Sequence, residues 1–252
     1  MAQYKHRVLA NGNSLDFNLP KCWEELSQKQ LKAVLIFLSA YEQTHALVKI
    51  TLYFANIILV GEKYGLTHCR VATDKGYMSI YISPEDMSAL TDAMSWVLSP
   101  GSVPILLEEL DARPAINSKL QGVPFGIYLQ LDNLYQGYLK SLNADAVLAM
   151  ANIVYHSDNP ITELKQYELY GIVQWYTQLK ALLTAEFSNF FRPAGVGSSS
   201  SVREAMNAQI RALTGGDVTK EELILSIDAW RALTELDAKA REAEEFKKTM
   251  KG

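Results

Sequence analysis

The spacing of apolar side chains changes period several times along the chain. Residues 4–9 and 14–19 flank Ala10-Asn11-Gly12-Asn13. Asn-Gly suits the positive φ angles of a two-residue turn, so the segment reads as a hairpin. Ser27-Gln28-Lys29-Gln30 has the arrangement of a capping box, and Leu31, Val34, Leu35 and Leu38 follow at helical spacing, which predicts a helix over 28–40. A second helix, apolar around most of its circumference and therefore interior, is expected over 42–60. The β-branched and aromatic runs 66–72 and 77–82, separated by Thr73-Asp74-Lys75-Gly76, predict a second hairpin, whose partner sheet the first hairpin can supply. Ser83-Pro84-Glu85-Asp86 combines a serine cap, a first-position proline and acids at the positive end of the helix dipole; that helix is expected to reach about Leu98.

Pro100, Pro104, Pro114 and Pro124 then interrupt any periodicity, which marks 100–124 as a connection between an α+β front (1–99) and an all-α back. Helices are expected over 125–142, 144–156 and 162–191, giving a helical region that closes near 193 at Arg192-Pro193. Residues 194–201, AGVGSSSS, have the composition of a flexible linker. In the C-terminal part, 202–252, a helix over 202–213 precedes Gly215-Gly216. Thr219-Lys220-Glu221-Glu222 reads as a capping box for a last helix over 219–250, about 32 residues or roughly 48 Å long. The fold class is thus mainly α with a small antiparallel β element.

Composition narrows the function. At 252 residues, 48% hydrophobic and 21% charged, the chain is globular with ample length for a core. Twenty-four basic against 28 acidic side chains give −4, which argues against a protein built to neutralise phosphate. Lys5-His6-Arg7 forms no basic–aromatic run of the kind nucleic-acid modules use and reads as a charged edge strand. The first residues lack the apolar core of a signal peptide, and the apolar run 46–60 is too short to cross a bilayer and carries Lys49. Cys22 and Cys69, far apart, support neither a disulfide framework nor a zinc site.

Catalytic spacings are sparse. The four histidines include no i, i+4 pair, so neither a metal site nor a cofactor is expected. His68 and Cys69 are strand neighbours that face opposite sides and cannot form a nucleophile–base pair. His156-Ser157-Asp158 brings a base and a carboxylate close, but in a segment of turn residues. Glu108-Glu109 with Asp111 read as a solvated face, and the glycine–serine run 195–201 ends in no GK[ST] and follows no strand.

The last helix is more telling. Leu223, Ile224, Ile227 and Trp230 share one side of it, and Leu233, Leu236, Ala240 and Ala243 fall roughly opposite. Two apolar faces imply two sets of contacts. Ile227, Trp230, Leu233, Leu236, Ala240 and Phe246 are therefore the candidate partner-binding residues, and removal of everything after Gly216 is expected to leave a folded body without its partner. The pairs Glu235–Lys239, Asp237–Arg241 and Glu244–Lys248 support the helix where it leaves the body.

The stretch Leu19-Pro20-Lys21-Cys22-Trp23-Glu24-Glu25-Leu26-Ser27-Gln28-Lys29-Gln30-Leu31, the Tyr135-Gln136-Gly137-Tyr138 region, Trp175-Tyr176 ahead of Phe190-Phe191, and Asp228-Ala229-Trp230-Arg231-Ala232-Leu233-Thr234-Glu235-Leu236 together resemble a group of prophage and bacteriophage proteins of gut anaerobes. The resemblance implies a virion or tail-assembly protein, present in the host cytoplasm during assembly or in the virion, whose partners are copies of itself or other phage structural proteins. The residues themselves point to a non-enzymatic protein acting through protein–protein contacts. Two alternatives stand beside that expectation: a small-molecule enzyme with a dispersed active site, and a nucleic-acid accessory protein.

Overall fold

The computed structural model describes residues 4–10, 13–73, 76–101, 103–156, 158–192 and 202–250. The turn residues Asn11-Gly12 and Asp74-Lys75, Ser157, and the linker 194–201 lie outside the described residues. The chain divides into two compact units, one of residues 1–101 with 166–170 and one of 102–165 with 171–252. It is mainly α-helical with a small antiparallel β element, the expected class.

The first unit opens with the expected hairpin. Strands β1 (Tyr4–Ala10) and β2 (Asn13–Leu19) pair antiparallel from Tyr4↔Leu19 to Ala10↔Asn13, which leaves two residues for the turn. Helix α1 (Gln28–Ala40) starts at the predicted capping box. Ser27 Oγ accepts from the Gln30 N–H, and the Ser27 N–H donates to Gln30 Oε1 at 2.9 Å. Trp23 and Trp96 meet edge to face at 5.4 Å, and their indole N–H groups donate to the carbonyls of Ser99 and Pro20, both at 2.9 Å.

The interior helix expected over 42–60 is two elements. Helix α2 (Gln43–Phe54) stops before Asn56, whose φ is +52°, a left-handed conformation that asparagine tolerates better than most residues. The next residues form strand β3 (Ile57–Lys63), which pairs with β4 (Leu66–Thr73), itself paired with β5 (Gly76–Ile82), in the order β3-β4-β5. An apolar run of this length fits a buried helix or a strand equally well by period, and the β-branched content of Ile57-Ile58-Leu59-Val60 decides for the strand. The second hairpin thus takes β3 as its sheet partner, while β1 and β2 form a separate two-stranded sheet. Helix α3 (Pro84–Ala93) begins at Ser83 as read and passes into a 3-10 turn over Ser95–Leu98.

The second unit holds α4 (Phe125–Ser141), α5 (Ala144–Val154), all but the first turn of α6 (Gln166–Glu186), α7 (Val202–Thr214), α8 (Glu221–Ser226) and α9 (Ala229–Thr249). The proline-rich segment expected to connect two domains is instead a strap on this unit from Val103 onward. It carries a minimal ribbon, β6 (Glu109–Leu110) with β7 (Arg113–Pro114), and otherwise irregular backbone. Irregular backbone in contact with a core must find hydrogen-bond partners. Side chains of the helices supply them: Gln178 Oε1 accepts from the Ile105 N–H at 2.8 Å, Tyr155 donates to the Leu107 carbonyl at 2.8 Å, and Trp175 to that of Ser118 at 2.8 Å. Trp175, Tyr155 and Gln178 are all buried.

Candidate protein-interaction surfaces

The single helix expected over 219–250 is broken at Ile227-Asp228, where Ile227 takes extended backbone and Asp228, at φ −55° and ψ 134°, also leaves the helical region. Asp228 caps α9, accepting from the Arg231 N–H at 3.0 Å, and its other oxygen accepts from the Gly122 N–H at 2.6 Å. Around it, the Phe125 N–H donates to the Ile227 carbonyl and the Ala229 N–H to that of Val123, both at 2.8 Å, so the break pairs with the strap like a short piece of sheet. Gly126 permits this approach; a Cβ there would lie 3.3 Å from the Leu225 carbonyl oxygen. The reading of two opposed faces on one helix fails because the break resets the phase.

Four of the six candidate partner-binding residues are consequently engaged within the chain. Leu233 and Leu236 are core residues, 1% and 3% exposed. Trp230 is half-buried, packs edge-on against Phe187 at 5.3 Å and donates its indole N–H to the Lys119 carbonyl. Ile227 is half-buried in the paired break. Ala240 is partly exposed, and Phe246 projects 66% exposed from the last turns of α9.

Asp237, expected to pair with Arg241, accepts from the N–H groups of Asn189 and Phe190 at 2.8 and 2.9 Å and from Asn189 Nδ2 at 2.9 Å, which ties α9 to the turn after α6. Partial burial opposes its ionisation, but these three donors and the nearby Arg241 outweigh it and hold the carboxyl below its usual pKa. Arg192 pairs with Glu244 one step further along. The Glu235–Lys239 and Glu244–Lys248 pairs form as read, at 3.3 and 3.5 Å.

A surface that sequence reasoning missed lies in the first unit. Strand β3 is at the edge of its sheet, and among the described residues no strand pairs with its outer side. Ile58, Leu59 and Val60 are each about half exposed, at 49, 50 and 48%, and Tyr64 and Tyr77 stand in solvent nearby in the sequence of the sheet. The register shifts between Leu59 and Gly61, so Val60 sits at a bulge that lets successive aliphatic side chains face water. The available signal was the Asn56 break ahead of a β-branched run.

The candidates for chemistry fall apart in space. His156 and Asp158 are exposed, as are Glu108, Glu109 and Asp111, whereas Cys69 is buried. His68 stacks on Tyr81 and bonds Ser79 Oγ at 2.6 Å, on the other side of β4 from Cys69 in pleat alternation. Among the described residues, no three of His, Cys, Asp and Glu cluster as metal ligands, and no helix is long and apolar enough to cross a membrane. A concentration of partly buried titratable groups joins α4 to α6: Asp132 accepts from Lys180 Nζ at 2.9 Å and from Tyr176 at 3.3 Å, and Tyr135 shares a hydrogen bond with Thr177 at 2.8 Å. Burial first, and then the Asp132 charge, push the Tyr176 and Tyr128 phenols well above their usual pKa. Both phenols stay protonated at neutral pH and the carboxylate is shared between two donors, the arrangement of an interhelical tie. Comparison with protein-family models, curated proteins and solved structures finds no match.

Proposed function

We propose that the protein is a non-enzymatic assembly component that works through protein–protein contacts, in the phage-particle setting its sequence resemblance implies. The observation that carries the reading is β3: a sheet edge with three consecutive half-exposed aliphatic residues offers backbone donors, backbone acceptors and apolar side chains to an added strand. Isolated apolar side chains are ordinary on a protein surface, but a contiguous run on an open edge is a liability unless it is covered. The bulge at Val60 and the charges of Glu62 and Lys63 confine that offer to the first half of the strand.

The test is sedimentation velocity on the purified chain mixed with the purified products of its flanking genes. A complex is expected with at least one of them, and Leu59→Lys, a change at an exposed site that leaves the circular dichroism spectrum unaltered, is expected to abolish it. Absence of any complex, or one indifferent to Leu59→Lys, overturns the reading.

A further inference from the structure

We infer that the solvent face of the β3-β4-β5 sheet binds single-stranded nucleic acid, with a base stacked on His68 in the space over Gly61. The inference goes beyond the assembly reading and does not rest on it. Cys69, Val71, Ile80 and Ile82 turn into the core, so their strand neighbours His68, Arg70, Ser79 and Tyr81 face the other way, and none of these four is buried. His68 stands directly opposite Tyr81 on one side and Gly61 on the other. Tyr81 stacks on the imidazole with ring centroids 4.8 Å apart and planes 16° apart, and Ser79 Oγ, 2.6 Å from His68 Nε2, fixes the rotation of the ring. The imidazole face turned away from Tyr81 looks over Gly61, where a Cβ would meet nothing within 4 Å. An oriented aromatic stack thus ends at an empty position about one strand spacing, ~4.8 Å, across, which suits a flat ring.

The charges on the same face decide which flat ring. Arg70 follows His68 by two residues along β4, and Lys63 follows Gly61 by two along β3; both are exposed. Lys63 Nζ sits 5.0 Å from the centre of the Tyr64 ring, itself 88% exposed. Among the described residues of the three strands, no acid shares this face, because Glu62 pairs with Thr67 and falls on the Cys69 side. Tyr77, four residues before Tyr81 on β5 and 67% exposed, offers a second ring. Cations beside a stacking slot match a single strand, which carries phosphates between bases free to leave their own stack. The aromatic side chain of a protein partner fits the slot but gives the two cations nothing to neutralise. The net charge of −4 belongs to the whole chain. With two cations here, stacking supplies most of the affinity and the phosphate contacts fix the position of the strand.

Fluorescence anisotropy of labelled oligothymidylate and oligouridylate, each of about 12 nucleotides, titrated with the full chain tests the inference. Saturable binding to at least one is expected, and the ratio of the two affinities tells DNA from RNA. Log affinity should fall against log salt with a slope of about −1.4, the value for two phosphate contacts on a single strand, and Arg70→Ala should bring that slope to about −0.7. Gly61→Leu fills the slot without changing charge. Its backbone lies outside the left-handed region and its surroundings are open, so binding should weaken about tenfold or more with melting temperature unchanged. His68→Ala should weaken binding to a similar extent by removing the stack. A duplex of the same length should compete poorly, because its bases are already stacked on one another. Binding indifferent to both Gly61→Leu and His68→Ala, or equal competition by the duplex, overturns the inference. So does failure to bind either oligonucleotide at low salt, which leaves the slot to an aromatic side chain of a protein partner.

Discussion

Asp237 shows how one carboxylate can join two elements whose sequences are far apart. Its pKa is lowered in the fold because Asn189, Phe190 and Arg241 favour the charged form more strongly than partial burial disfavours it. A carboxyl with a folded pKa below its unfolded value, about 3.9, contributes stability that is complete above that value and is lost as pH falls through the folded pKa. Asp237→Asn should therefore melt below the wild-type chain at pH 6, and the gap should close progressively below about pH 4. Thermal unfolding followed at several pH values checks this; a gap that widens in acid contradicts it. The sequence displays Asp237 and Arg241 at i, i+4, and that local pair is what spacing alone can propose. The Asn189 and Phe190 N–H groups reach Asp237 across 48 and 47 residues of sequence, and partners that far apart leave no periodic trace.

Elements were legible where a chemical signal marks their ends. Ser27 with Gln30 and Ser83 with Pro84 start α1 and α3 as read, and the first hairpin keeps its two-residue loop. Removing the cap through Ser27→Ala should cost about 1 kcal/mol, measured by urea unfolding. Boundaries inside apolar runs were not legible, since Leu52 to Val60 offers no polar interruption except Asn56. The left-handed backbone at Asn56 carries that boundary, so Asn56→Gly should be nearly neutral while Asn56→Val should lose about 1–2 kcal/mol in the same assay. Equal effects from the two would mean that the helix stops for another reason. The break before α9 has the same character: Asp228 is a serviceable cap, but a helical apolar pattern on both sides of it hides the stop.

How the second unit is secured bears on the C-terminal segment as a whole. Read along the sequence, residues after Gly216 look like an arm added to a finished body. In the fold they complete it. Asp228 and Trp230 hold the strap at Gly122 and Lys119, while Leu233 and Leu236 fill the core of the second unit and Asp237 closes the end of α6. Each buried leucine alone is worth about 2–5 kcal/mol when truncated to alanine, comparable to a large part of a domain's stability. Ending the chain after Gly216 should therefore unfold the second unit, visible as lost helix signal and lost protection of the α4 and α6 amides in hydrogen exchange. Ending it after Lys239 keeps all of those contacts, so the body should retain its exchange protection. Recovery of a protected α4 and α6 in the shorter chain would show that the strap and the bundle close without α9.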